Sequence, residues 1–202
     1  ATPDLVAAGA ELERLAAARA ALPNEDALPW RLRSQLPTFD KWLPRGQDGL
    51  LLAQILPEML GAESARTYLL IAQNEDELRP TGGFISGVGR LTIDNGRIAD
   101  LSFEDASLID DYLNKPYGPA PTVLAEIMGL QLFAFRDANF WPDLPTSADK
   151  MIALYSYGKD VPPPDGLIVF DQTFVQMFLT ATGPIEVVEE ETATRTAINA
   201  NN

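Results

Sequence analysis

At 202 residues, 46% hydrophobic and 22% charged, the chain has the composition of one folded domain, or of one domain with an extension. It holds no cysteine and no histidine, which excludes thiol nucleophiles, disulfides, Cys/His zinc sites and imidazole bases. Its net charge of −14 offers no basic stripe to a phosphate backbone, so nucleic acid is not an expected partner.

The charge is uneven. Residues 1–65 carry 6 basic and 9 acidic side chains, and the remainder carry 9 and 20. No contiguous polybasic run suggests attraction to anionic lipid. No apolar run is long enough to span a bilayer, and no signal peptide is present. Any catalysis must use Asp, Glu, Arg, Lys, Ser, Thr or Tyr, or a hard cation held by carboxylates.

Residues 3–22 read as a helix, capped by Thr2, with Pro3 in the first helical position and Asp4 at the positive end of the dipole. Leu5, Ala8, Leu12, Leu15 and Leu22 follow heptad spacing, and Arg19 interrupts the seam. This is either a helix packed on its own domain or the end of a longer stalk. Pro23, Pro29, Pro37 and Pro44 then punctuate a stretch of short helical turns. A further helix is expected over 47–60, kinked or shortened by Pro57 and closed by Gly61.

The pattern changes at Arg66. Residues 67–72 form a continuous apolar run of strand length, as in a strand covered on both faces. A strand over 84–94, an Asn95-Gly96 turn and a return strand over 97–103 make a hairpin. Residues 105–145 are mostly irregular, with a helix at 122–128. Thr146-Ser147-Ala148-Asp149 resembles a capping box for a helix reaching Tyr157. A buried strand at 166–170 follows an Asp165-Gly166 turn, Asp171 caps a helix to about 180, and 185–188 is a last strand. This order predicts a mixed-sheet, three-layer α/β domain over 66–202 behind an N-terminal helical region over 1–65. The chain begins directly in a helix and stops without a closing element, which reads as a piece of a longer protein, truncated at the C-terminal side.

Three clusters are candidates for chemistry. The first is the loop from Gln73 to Phe84, containing Asn74, Arg79, Thr81, Gly82 and Gly83. Strand-end loops form the ligand crevice of open α/β sheets, paired glycines let amides approach an anion, and a guanidinium can clamp one at two points. Equally, Arg79 can pair with Glu75 or Glu77 in a tight connection. No helix start follows the glycines, so this is not a dinucleotide or P-loop fingerprint. The second cluster is Arg136, Asp137, Asn139, Phe140 and Trp141, where orienting polar groups sit beside large rings. Alternatively it is an ordered loop pinned by its two aromatics. The third is acidic: Glu104-Asp105 and Asp110-Asp111. Mg2+ takes such ligands together with substrate phosphate, although the spacing matches no calcium loop. Asp165 and Asp171 are accounted for as turn and cap residues.

Several blocks together resemble a known family. They are Tyr68 to Asn74, Glu77-Leu78-Arg79-Pro80-Thr81-Gly82-Gly83-Phe84-Ile85, Arg136-Asp137-Ala138-Asn139, Pro142 to Ala148, Asp165 to Asp171 and Ala181 to Val187. The order resembles the bacterial envelope domain-of-unknown-function family numbered four thousand and twelve, over roughly 66–188. The resemblance implies an extracytoplasmic domain anchored by a membrane helix outside this chain. That family is in turn similar to the LytR-CpsA-Psr phosphotransferases, which move glycans from a polyprenyl pyrophosphate carrier to the cell wall. The likeness places Arg79 where those enzymes carry their first arginine, and Glu104 where they carry an arginine before the aspartate. It implies that Arg79 and Arg136 hold pyrophosphate, that Gly82 and Gly83 offer amides, and that Asp105 or Asp137 binds magnesium. Asn74, Thr81, Asn139 and Trp141 would line the ligand. The rival expectation is a non-catalytic module binding a glycan or an envelope protein, with Phe140, Trp141 and Tyr117 as its platform.

Overall fold

The structure, a computed structural model, describes residues 3–22, 24–188 and 195–200. Thr2 as a cap and Pro23 as a breaker lie outside the described residues. The fold is a mixed α/β sheet with an N-terminal helical region, as the element order predicted. Contacts divide the chain into two compact units: Ala1–Arg66 with Ile93–Arg97, and Thr67–Thr92 with Ile98–Asn202.

In the first unit, α1 (Pro3–Ala20) packs along α3 (Leu36–Met59), with the short α2 (Trp30–Arg33) between them. The half-buried positions of α1 are Leu5, Gly9, Leu12, Ala16 and Arg19. The seam therefore includes Arg19 instead of breaking there. Its guanidinium donates to both Asp40 oxygens at 2.7 Å and to Glu25 at 2.6 Å, which holds the Asp40 carboxyl below the usual range. The expectation of short turns until residue 47 is corrected: α3 begins at Leu36 and contains Pro44 and Pro57. A proline inside a helix costs roughly 3 kcal/mol, but Leu36, Phe39 and Leu43 turn the same half-buried side inward, which favours continuity of the helix. Gly61 terminates the helix at φ 74, as expected, with its amide on the Glu58 carbonyl.

The second unit is built on a four-stranded sheet in the order β3-β2-β1-β4, from β1 (Arg66–Asn74), β2 (Phe84–Asp94), β3 (Arg97–Asp105) and β4 (Gly166–Asp171). β1 runs parallel to β4, with Tyr68 opposite Gly166 and Gln73 opposite Asp171. Asp165 locks the start of that pair: its carboxylate accepts from the Thr67 amide at 2.8 Å, and its own amide donates to the Thr67 carbonyl at 2.7 Å. The hairpin turn has φ 48 at Asn95 and 74 at Gly96, the left-handed pair a two-residue turn requires.

One sheet face carries the core. Leu69 and Ile71 of β1 and Ile85 and Val88 of β2 are buried with Phe135, Ala138, and Met151 and Tyr155 of α5 (Leu144–Lys159). α5 starts a turn earlier than expected. Asp143, not Thr146, is its cap, accepting from the Thr146 amide at 2.9 Å, because Pro145 fits the first helical turn without needing a donor. The opposite face has Ala72, with Phe103 lying over Gly87 and Gly89; a Cβ on Gly87 would fall 2.6 Å from that ring. α6 (Gln172–Thr182) is capped by Asp171 as expected, through the Phe174 amide at 2.7 Å. A cavity of about 330 Å³ is lined by Ala72, Ser86, Phe170, Val175, Leu179 and Ile198. β5 (Ile185–Val188) is not a further strand of the main sheet. It pairs antiparallel with β6 (Arg195–Ile198), a strand in the stretch expected to lack structure. α4 (Thr122–Met128) lies where it was predicted.

Candidate functional site

β1 points Leu69, Ile71 and Gln73 to the core face, so its last inward position is polar. The Gln73 side chain donates to the Thr81 hydroxyl at 2.7 Å. Asn139, fully buried, donates to the same hydroxyl at 3.0 Å and to the Gly83 carbonyl at 2.7 Å. Its own carbonyl oxygen has no partner among the described residues. These bonds fix the connection between β1 and β2. The Gly82 amide closes a turn onto the Arg79 carbonyl at 2.9 Å, and the Phe84 amide bonds the Glu77 carbonyl at 2.9 Å. Gly83 lies against the Asn74 backbone so closely that a side chain would collide with its carbonyl. Both glycines thus have work inside the fold, and the Gly82 amide is engaged.

Phe84 is where the two arginines meet. The Arg79 guanidinium lies 5.3 Å from the Phe84 ring centre and that of Arg136 lies 5.5 Å from it. Their circumstances differ. Arg79 has a side chain only 14% exposed, pairs with Glu77 at 2.7 Å and approaches Asp137 at 3.9 Å. Arg136, at the surface on a 3₁₀ turn over Phe135–Asp137, forms no ion pair among the described residues. The Asp137 carboxyl beside them is buried, and that burial pushes its pKa up against the lowering pull of Arg136 and Arg79. Asp110 is also raised by burial, although the Phe135 amide donates to both its oxygens at 3.1 Å. Burial, then the Asp110 charge, pushes the Tyr112 hydroxyl up to about 12.

The remaining expected residues lie in other settings. Asp105 accepts from the Ser107 amide at 2.8 Å, and bonds to Ser107 pull its carboxyl down. Glu104 pairs with Lys159 at 2.7 Å. Asn74 accepts from the Asp76 amide at 3.1 Å and from Gln172 at 3.3 Å. Trp141 packs edge-on against Phe133 and Phe140, and its carbonyl accepts from Ser147. Trp141, Phe140 and Tyr117 are all half-buried. Among the described residues no three acidic side chains come together to hold a metal ion. Of the two alternatives expected to bind magnesium, Asp105 is held by Ser107 and Asp137 is buried beside the guanidinium groups of Arg79 and Arg136, so neither is set to take that ion.

Gln73 and Phe84, the two ends of the first candidate loop, and Asp110, from the acidic candidate, were given no individual role by the sequence reading, and the structure brings them into this cluster. Gln73 was detectable as a polar residue in phase with Leu69 and Ile71. Phe84 had no such signal, because an aromatic at a strand start reads as core. Chemically, the cluster presents one exposed guanidinium, stiffened by an aromatic ring, with two carboxyls of raised pKa beside it.

A mixed-sheet α/β domain with two arginines over one aromatic ring beside the β1–β2 connection is the class that fold and site define. The chain belongs to the family described as Protein of unknown function (DUF4012), whose model matches residues 63–202. No curated protein and no solved structure matches the chain.

Proposed function

We propose that this chain is a non-catalytic module of the cell envelope that binds an acidic glycan through Arg136. The observation that carries this reading is the contrast at Phe84: the charge of Arg79 is consumed internally, while Arg136 is exposed, ring-backed and without an ion pair among the described residues. A guanidinium so placed takes a carboxylate or phosphodiester at two points. Asp105, Asp110 and Asp137 surround it with negative potential. That potential disfavours a multiply charged pyrophosphate more strongly than a singly charged group. The envelope setting rests on the family resemblance.

Titration calorimetry with oligogalacturonate and with a glycerol-phosphate oligomer tests the reading. Arg136→Ala should weaken binding roughly 10- to 100-fold, the loss of a charge-assisted pair. Unchanged binding in that variant would sink it.

The convergence of both arginines on one ring favours a second reading, a LytR-CpsA-Psr-like transferase acting on a polyprenyl-pyrophosphate-linked glycan. There an acceptor hydroxyl would attack the glycan-bearing phosphorus, its proton would pass to Asp137, and polyprenyl phosphate would leave. Turnover of a farnesyl-pyrophosphate-linked sugar, lost in Asp137→Asn and Arg79→Lys, would favour this second reading over the first.

A further inference from the structure

The start of the second helical arm carries apolar surface that the helical pair does not use. Trp30 is 68% exposed, Leu32 57% and Trp42 59%. Leu36, Phe39 and Leu43 already supply the inward contacts. Each indole is attended by cations: Arg31 at 5.6 Å from the Trp30 ring, and Lys41 at 5.8 Å and Arg45 at 5.4 Å from that of Trp42. Arg33 is spent on Asp26, and Asp40, the one acid among residues 30–45, is spent on Arg19. Arg31, Lys41 and Arg45 make no ion pair among the described residues. In a chain of net charge −14, this segment is therefore a local excess of positive charge. Contiguous runs do not reveal it, because the cations alternate with apolar residues over two helices. Farther along α3, Asp48, Leu52, Leu56 and Met59 fall on the same helical side as Lys41 and Arg45, the three apolar residues remaining 52%, 44% and 45% exposed.

We propose that this surface docks on a lipid bilayer containing anionic headgroups. Trp30 and Trp42 enter the headgroup boundary, where an amphipathic ring is best accommodated, while Arg31, Lys41 and Arg45 reach the phosphates along their alkyl stems. Charge selects this occupant over a second copy of the chain. A two-fold contact through the patch would set the three unpaired cations against their own images, whereas anionic headgroups complement them. The inference uses no residue of the Arg136 site and stands independently of its ligand.

The test is flotation of the whole 202-residue chain with phosphatidylcholine vesicles, with and without a quarter of phosphatidylglycerol. The anionic vesicles should carry the protein, with tryptophan emission moving to shorter wavelength, and salt should weaken the effect. Arg31→Glu with Arg45→Glu should lower the partition coefficient at least about tenfold. Trp30→Ser with Trp42→Ser should do likewise and abolish the emission shift. Circular dichroism checks folding; should the tryptophan pair unfold, the solvent-facing arginine pair still decides. The proposal is overturned by absence of flotation with anionic vesicles, or by flotation that neither pair of changes affects. Sedimentation velocity supplies the other overturning result: a dimer, with no lipid binding, that both pairs of changes dissociate.

Discussion

The connection between β1 and β2 and the 3₁₀ turn at Phe135–Asp137 each bring one arginine to the same aromatic ring, yet they use it differently. In the first, the chain has turned its charge inward: Arg79 lies between Glu77 and Asp137, and Gly83 lies against the Asn74 backbone. In the second, Arg136 faces solvent with its charge unspent. The difference shows that residue type and proximity do not assign a role. What assigns it is whether the fold has already supplied the side chain with a partner.

The comparison depends on the two regions being held in register, and Asn139 holds them. Asn139→Ala removes both hydrogen bonds from a fully buried position, taking the donor from the Gly83 carbonyl and leaving the Thr81 hydroxyl with Gln73 alone. A loss of about 3 kcal/mol is expected, the largest single effect here, measured by urea denaturation. A loss below about 1 kcal/mol would mean that the β1–β2 connection is held by something else. Next in size is Arg79→Ala. It strips Asp137 of one cation and Phe84 of a stacked guanidinium, for about 2 kcal/mol after allowing for the half-exposed Glu77. Arg79→Lys should recover only part of this, since lysine keeps the charge without the planar fork.

Much of the scaffold of this comparison was legible in the sequence. β1, the Asn95-Gly96 hairpin, α4 and the Asp171 cap follow from local signals that tertiary packing reinforces. α3 was not legible, because two prolines argue locally for breakage while the inward row of Leu36, Phe39 and Leu43 argues for continuity, and only packing decides between them. β6 was missed because four residues give too short an alternation to distinguish from a tail. At the site, the sequence brought Arg79, Arg136, Asp137, Thr81 and Asn139 together as candidates. It left open whether Arg79 binds a ligand or Glu77, and ion pairing between side chains two residues apart is a matter of turn geometry rather than composition.

Asp137 sharpens the comparison through pH. Burial raises its folded pKa above the unfolded value, so the protonated form is the one that folding favours. Its contribution to stability is fully present below the unfolded pKa and is lost as pH rises through the folded pKa. Asp137→Asn, which is permanently neutral, should therefore compare better with the parent at neutral pH than in mild acid. Thermal melts across pH 4 to 7 would read the trend, which should be smaller than either truncation above. The opposite trend would mean that the Arg79 and Arg136 charges outweigh burial and that the acid is held ionised.

The smallest expected stability effect belongs to Arg136, and it is the most discriminating. Its guanidinium has no ion pair among the described residues and its side chain faces solvent, so Arg136→Ala should shift stability by no more than about 0.5 kcal/mol. Phe84 keeps its contact with Arg79, and the 3₁₀ turn keeps its backbone bond from the Ala138 amide to the Phe135 carbonyl at 3.0 Å. A protein of parental melting temperature that no longer binds the acidic oligosaccharide would place the whole effect at the ligand. If Arg136→Ala instead melts much earlier, then its interaction with Phe84, Asp105, Asp110 and Asp137 is worth more to the fold than exposure suggests. The two regions would then be alike, both spending their arginine internally, and the contrast on which the binding reading rests would be gone.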